Sequence, residues 1–281
     1  MSEKWREIYT EEQIAKIQKI ELDNLKVLDK ICKKIGIEYF VYGGTLIGAV
    51  RHNGFVPWDD DLDVAMSRSD YIKFISEAPL LLPDEYYLQT PYTDKNTPYL
   101  YSKLRLKGTK CVEYPHNKLN IEQGIYIDIY PIDNIPDCEE EYIKQFKKYQ
   151  KLAKLYVLRQ CPYSYSMDIN FKRKFKNLIR FILSFVIRLI PQNCFVNIVD
   201  NIMTKYNNIE TTRKGNLFYP KLGNVFYNLY PLKDYSFEGL TIKIPNDFDT
   251  HLTMRYGNYM ELPEEDERIG HKPYLLEFGK Y

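Results

Sequence analysis

Four aspartates, Asp59, Asp60, Asp61 and Asp63, run directly into the apolar Val64, Ala65 and Met66. Asp61 and Asp63 are two positions apart, so on an extended strand both carboxylates point to one side while Leu62 and Val64 face a core. Carboxylates held on one face repel each other unless a cation lies between them or one keeps its proton. Mg²⁺ or Mn²⁺ suits such a site, because either takes hard oxygen ligands from carboxylates and substrate phosphates. Earlier in the same stretch, Gly43-Gly44-Thr45 follows the apolar run Tyr39 to Tyr42. Glycines leaving a strand let backbone approach a ligand closely, and a threonine adds a hydroxyl that can cap a following helix. Separately, a Gly-Gly pair is usually a turn and an aspartate cluster usually a solvated loop. Together, each beside a strand-like run, they point to a phosphate-and-metal site.

A further acid, Asp128, lies inside Gly124 to Pro131 with isoleucine on both sides. Burying it is costly without a partner. Two partners suit it: a metal shared with Asp61 and Asp63, or a salt bridge to Lys103 or Arg105. These two cations alternate with Ser102, Leu104 and Leu106, so they share one face of a strand, either solvent-facing or turned toward a site. Asp133, beyond the proline, reads as a turn residue.

The stretch from Gly43 through Arg51 and His52, followed by Pro57-Trp58-Asp59-Asp60-Asp61-Leu62-Asp63, resembles the signature of the LicD family. That family includes bacterial phosphocholine transferases and fukutin-related ribitol-phosphate transferases. The resemblance is strongest over residues 38 to 133 and returns near 253 to 273, at Tyr256-Gly257, Pro263 and His271. It implies a nucleotidyltransferase-like fold and transfer of a phospho-alcohol, phosphocholine or a polyol phosphate, from a CDP-activated donor to a hydroxyl of a cell-surface glycan or polymer precursor. In that reading Asp61, Asp63 and Asp128 are catalytic and hold the metal, with Asp59 assisting. Gly43, Gly44, Thr45, Arg51, Lys103 and Arg105 bind the donor phosphates. His52, Trp58 and His271 are accessory candidates. Trp58 is either a packing anchor or a wall of a choline pocket through cation–π contact. His271 either reaches the active site or satisfies a hydrogen bond near the terminus.

Ile14, Ile17, Leu25, Leu28, Ile31 and Ile35 predict an amphipathic helix over 11–35, stopped by Gly36. Strands are expected at Ile37 to Tyr42, Leu62 to Met66, Tyr86 to Gln89, Tyr99 to Leu106, Lys110 to Glu113 and Phe237 to Ile244. Short helices are expected at Thr45 to Arg51, Ser69 to Ser76 and Asn246 to Met254. Leu217 to Phe226 reads as aromatic and turn-rich. Longer helices are expected at Glu139 to Gln160 and Asn193 to Tyr206. The fold class is α+β, a nucleotidyltransferase-like mixed sheet flanked by helices, with an appended helical region and a small C-terminal β/α part. The corresponding division is 1–136 for the catalytic core, 137–208 for the helical region and 209–281 for a C-terminal segment packing on the core.

Residues 171–191, FKRKFKNLIRFILSFVIRLIP, are too short and too interrupted by Arg180 and Arg188 to span a bilayer comfortably. The basic Lys172, Arg173, Lys174 and Lys176 beside this apolar run suggest a helix lying on an anionic membrane surface. The alternative is a core helix with one wet edge.

At 281 residues and a net charge of +1, the chain can bury a full core and carries no overall charge bias toward nucleic acid. Five scattered cysteines without a CxxC spacing suggest reduced thiols rather than disulfides or a zinc site. With a polar, acidic start in place of a signal peptide, the expected location is cytoplasmic, peripheral on the inner face of the membrane. Two other functions fit the same residues: a nucleotidyltransferase moving NMP from NTP to a small acceptor, and a non-catalytic accessory protein of envelope-polymer assembly. The sequence leaves the oligomeric state open.

Overall fold

The computed structural model describes residues 9–163, 171–218, 225–268, 270–271 and 273–281. Helix α1 (Glu11–Ile35) begins with a capping box: the Gln13 N–H donates to Thr10 Oγ1 at 3.2 Å, and the Thr10 N–H donates to Gln13 Oε1 at 3.1 Å. Gly36 ends it at φ 67°, in the left-handed region where glycine carries no Cβ penalty. Of its expected stripe, Ile14, Ile17, Leu25, Leu28 and Ile31 are buried, Leu25 and Leu28 completely, and Ile35 is half-buried. Each such leucine contributes about 1.5–3 kcal/mol.

Strand β1 (Phe40–Val41) leads into α2 (Gly43–Ile47), which continues as a π-helical turn at Gly48–His52. Then come β2 (Asp63–Ser67), α3 (Arg68–Glu77), β3 (Tyr86–Gln89), β4 (Ser102–Leu106), β5 (Lys110–Val112) and the long β6 (Tyr126–Ile135). Helices α4 (Glu139–Gln160), α5 (Phe171–Arg188) and α6 (Gln192–Met203) follow. The chain ends with β7 (Arg213–Gly215), β8 (Val225–Phe226), β9 (Lys233–Phe237), β10 (Leu240–Ile244), α7 (Phe248–Tyr256) and β11 (Leu275–Glu277).

Among the described residues seven strands form one mixed sheet in the order β1-β2-β6-β4-β3, with β7 and β8 joined to the far end of β6. The β2–β6 pair is parallel, and the other pairs are antiparallel. This is the expected α+β architecture. The two faces of the sheet differ because side chains alternate along each strand. Val41, Val64, Met66, Leu104, Ile127 and Ile129 meet α1 and α3 in the main core. On the opposite face, Phe40, Tyr42, Ala65 and Tyr130 form a smaller aromatic cluster. The charged row described below shares that face. Helices α4 and α6 close on each other through Tyr149, Tyr156, Phe195 and Val199.

Several elements depart from the sequence expectation. The strand expected from Ile37 is paired only at Phe40 and Val41, and the helix after it starts two residues early, at Gly43. Asp133 is no turn residue: it lies within β6, is 3% exposed, and pairs with Arg68 at 2.5 Å. The proline at 131 permits this extension because it leaves the strand extended and removes only one donor. The single strand expected over Phe237 to Ile244 is half of a hairpin that turns at Glu238 and Gly239, both at positive φ. Within Leu217 to Phe226, residues 219–224 lie outside the described residues.

Candidate active site

The register of the sheet sets one row across four strands. Asp63 on β2 is the partner of Asp128 on β6, Asp128 of Lys103 on β4, and Lys103 of Gln89 on β3. Two backbone bonds hold the β2 end in place: the Tyr42 N–H donates to Asp63 O at 3.0 Å, and the Asp128 N–H to Leu62 O at 2.9 Å. Register partners in neighbouring strands present their side chains to the same face. Asp128 and Asp63, far apart in sequence, therefore stand side by side.

The double glycine earns its place sterically. A Cβ on Gly43, at φ 59°, would come within 2.6 Å of Asp63 Oδ2, and one on Gly44 within 2.6 Å of Asp59 Oδ2. Both carboxylates lie against glycine backbone, so a side chain at either position would push the facing carboxylate aside. Thr45 is buried, and its Oγ1 accepts the Asp63 N–H at 2.8 Å, which fixes the first residue of β2.

The cluster carries more negative charge than its neighbours offset. Burial raises the proton affinity of Asp63 well above the usual carboxylate range, and Asp61 and Asp128 add to the effect. Burial and then Asp61 do the same for Asp59, which shares a hydrogen bond with it, while burial and Asp60 raise Asp61. Asp128 is also raised by burial, with Lys103 opposing; the Lys103 ammonium stands 2.7 Å from Asp128 Oδ1, and the Tyr130 hydroxyl donates to Asp128 Oδ2 at 3.2 Å. The salt-bridge partner considered for Asp128 is thus present.

Lys103 and Arg105 are each 1% exposed, which excludes the solvent-facing alternative. Lys103 sits among tyrosine rings, 3.4 Å from the Tyr126 centroid, 4.3 Å from Tyr99 and 5.5 Å from Tyr101. Arg105 donates to Gln89 Oε1 and to the Gly124 carbonyl, both at 2.8 Å. Its charge sits behind the row, bonded to the protein.

The remaining candidates lie around the rim. Arg51 donates from Nη1 to the carbonyls of Tyr259 and Glu261, at 2.6 and 3.0 Å, and from Nε to His52 Nε2 at 2.9 Å. Its contacts clamp the C-terminal segment onto the π turn. Trp58 packs edge-on against His52 and carries the Arg268 guanidinium 5.2 Å from its ring. That aromatic face is covered by a cation from the chain itself. Asp60 Oδ1 accepts the His271 N–H at 2.8 Å and faces its Nδ1 at 3.3 Å, while Tyr9 donates to Asp60 Oδ2 at 2.8 Å. His271 therefore satisfies a bond at the rim, and that hydrogen bond raises its pKa to about 9 against a smaller effect of burial.

Two charged residues near the cluster have no signal in the local sequence. Glu21 on α1 is 2% exposed, and its Oε2 has no hydrogen-bond partner. Burial, then Asp61, Asp60 and Asp59, drive its proton affinity well up. Arg255 on α7 lies 5.1 Å from the Tyr42 ring and lowers the proton affinity of Asp63. Neither follows a local motif, because only the packing of α1 and α7 against the loop and sheet brings them there.

Among the described residues, no three His, Cys, Asp or Glu side chains are gathered closely enough to cage a metal ion by themselves. The donor set nevertheless fits a hard divalent cation. Asp63 Oδ1 is buried without a partner, and the cluster is under mutual repulsion. Mg²⁺ sites of this kind use one or two carboxylates and complete the shell with water and substrate phosphates. Asp61 and Asp63 would be the holding pair, with Asp59 beside them; Asp128 is engaged by Lys103.

Residues 36–157 match the family model described as LicD/FKTN/FKRP, nucleotidyltransferase domain. Over 273 residues the chain is 26% identical to the lipopolysaccharide cholinephosphotransferase LicD of Haemophilus influenzae, covering 90% of this chain and 94% of that protein. It is also 30% identical over 125 residues to an uncharacterized protein of Rickettsia typhi, which covers 44% of this chain and 37% of that one. The matched segment contains the whole row from Asp63 to Gln89, the double glycine and the aspartate loop, so the likeness to the LicD family covers the site itself.

Proposed function

We propose that this protein is a phosphocholine transferase that takes phosphocholine from CDP-choline and delivers it to a hydroxyl of a cell-surface glycan. The observation that carries the reading is the buried carboxylate row beside two glycines whose bare backbone leaves room for it, on a domain that matches the LicD family model. Choline as the donor alcohol is supported by the near full-length likeness to the Haemophilus protein. The tyrosine faces around Lys103 are already filled by its ammonium and do not speak for choline.

In this reading Asp61 and Asp63 hold a divalent cation, with Asp59 assisting. The cation, when bound, neutralises the donor diphosphate and stabilises the CMP leaving group. The chain's own residues do the rest. Gly43 and Gly44 keep the aspartates and the donor close to bare backbone. The Lys103 ammonium orients Asp128 and limits the negative charge around it. Asp128, whose proton affinity is raised by burial, accepts the proton of the acceptor hydroxyl as its oxygen attacks the choline-bearing phosphorus. One P–O bond forms, the bond to CMP breaks, and CMP departs. Such transfer depends mainly on positioning and charge, so it needs no nucleophilic side chain.

The test is a mass-shift and CMP-release assay with CDP-choline and a lipooligosaccharide acceptor. Asp61→Ala and Asp63→Ala are expected to reduce turnover to about one-thousandth or less, roughly 4 kcal/mol in barrier, with folded circular-dichroism spectra. EDTA is expected to silence the wild type. Transfer of NMP from labelled NTP, with no CMP released from CDP-choline, would replace this reading with the nucleotidyltransferase one.

A further inference from the structure

Helix α5 is inside out. Its inward stripe consists of Asn177, Arg180, Ser184 and Ile187, spaced three and four apart as one helical face requires. Ser184 is 2% exposed and donates to the Phe181 carbonyl at 2.8 Å. Arg180 donates to the carbonyls of Pro162 and Cys161 at 3.1 and 3.0 Å, tying the helix to the end of α4. The opposite stripe runs through Phe175, Leu178, Ile182, Phe185, Val186 and Leu189, each 54–72% exposed. Soluble proteins scatter single apolar residues over their surface, but a continuous stripe of this length marks an interaction site.

Charge identifies the partner. No Asp or Glu occurs between 169 and 199, while Lys172, Arg173, Lys174, Lys176, Arg180 and Arg188 all do. Lys174 and Lys176 are exposed near the N-terminal end of α5; the side chains of Lys172 and Arg173 lie outside the described ones. Cations there oppose the helix dipole, which favours acids at that end. Intrahelical stability therefore does not account for them, whereas an anionic partner does.

The helix is also unsuited to crossing a bilayer. Among the described residues no single helix is long and apolar enough, although α5 and α6 would qualify together with a 90° bend. That route is closed, because Phe195, Val196, Val199, Ile202 and Met203 of α6 are already buried in the core with α4. Of the two helices, α5 carries the continuous exposed apolar stripe.

We infer that α5 docks the protein on the surface of a bilayer containing anionic phospholipid, its apolar stripe at the boundary between headgroups and acyl chains and Lys174 and Lys176 among the phosphates. The inference is independent of the transfer reaction: none of these residues touches the carboxylate row.

Flotation of the full chain with vesicles of phosphatidylcholine alone, or mixed with phosphatidylglycerol, tests it. Expected are flotation with the mixed vesicles, weakening as salt is raised, and little with phosphatidylcholine alone. The double variant Lys174→Glu/Lys176→Glu should weaken association about thirtyfold or more, from losing roughly 1 kcal/mol for each of the two basic residues at an anionic surface. Ile182→Ser/Phe185→Ser should abolish it, with unchanged circular dichroism in both cases. No flotation on either vesicle, or equal flotation on both, would overturn the inference. So would light scattering that shows a dimer whose formation Ile182→Ser/Phe185→Ser abolishes, because the stripe would then face a second copy.

Discussion

The carboxylate row and helix α5 invert the ordinary partition of side chains in opposite ways. Around Asp63 and Asp128 the chain buries charge, whereas along α5 it exposes hydrocarbon and buries a serine. The first inversion is offset from within. Lys103 pairs with Asp128, Arg255 approaches Asp63, and glycine backbone gives the carboxylates room. What remains is a surplus of negative charge, which a small cation would offset. The second inversion has no compensation among the described residues of α4 or α6, whose own apolar faces are buried against each other. The comparison teaches that a buried polar group asks for something small that can enter, and an exposed apolar stripe for something large that stays outside.

The strongest way to break the comparison is to remove the internal offset. Lys103→Met leaves Asp128 buried beside Asp63 without its ion-pair partner. Loss of one partner of a buried pair costs about 3–5 kcal/mol. Urea unfolding should show a loss of that size, and Lys103→Met/Asp128→Leu should recover most of it. A loss below about 1 kcal/mol would mean that Asp128 is not charged in the metal-free protein.

A smaller effect of opposite sign is expected from Asp63→Asn. The folded state raises the Asp63 pKa above its ordinary value near 4, so it holds the proton more tightly than the unfolded chain. The stability this proton contributes is complete below about pH 4 and is lost as pH rises through the elevated folded value. At pH 8 the wild type must either take up a proton on folding or carry the repulsion, and the amide does neither. In EDTA, Asp63→Asn should melt higher than wild type by a few degrees at pH 8, at roughly 2–4 °C per kcal/mol, with the gap closing toward pH 4. A variant that melts lower at pH 8 would show that the carboxylate is stabilised where it sits.

The smallest effect belongs to α5. Phe185→Ser in the lipid-free protein should change unfolding free energy by no more than about 0.5 kcal/mol, as at an ordinary surface position. A buried Phe would cost about 3–5 kcal/mol on truncation to Ala. A loss in that upper range would mean the stripe is covered in solution.

Much of the site was legible because its signals are local. The double glycine, the aspartate loop and the run into Val64 lie within one short segment, and the period-two alternation at Ser102 to Leu106 places Lys103 and Arg105 on one face. Helix α1 was legible for the same reason, since its stripe, its cap at Thr10 and its stop at Gly36 depend on near neighbours. The hairpin at Glu238 was missed because its alternation continues through the turn. The extension of β6 was hidden by Pro131, which breaks many strands but not this one.

By itself, then, the sequence determined most of the elements, the side of each strand that carries charge, and the residues proposed to hold phosphate and metal. Only the tertiary structure decided which of them meet. Strand order makes Asp63, Asp128 and Lys103 one row, turns Arg51 to the C-terminal segment and His271 to Asp60, and brings Glu21 and Arg255 toward the aspartates. The same holds for α5: its composition showed an amphipathic helix, but which face looks outward depends on what packs beside it. The physical reason is common to both. Periodicity is set by neighbours along the chain, whereas pairing and burial are set by contacts between segments that the chain brings together only on folding.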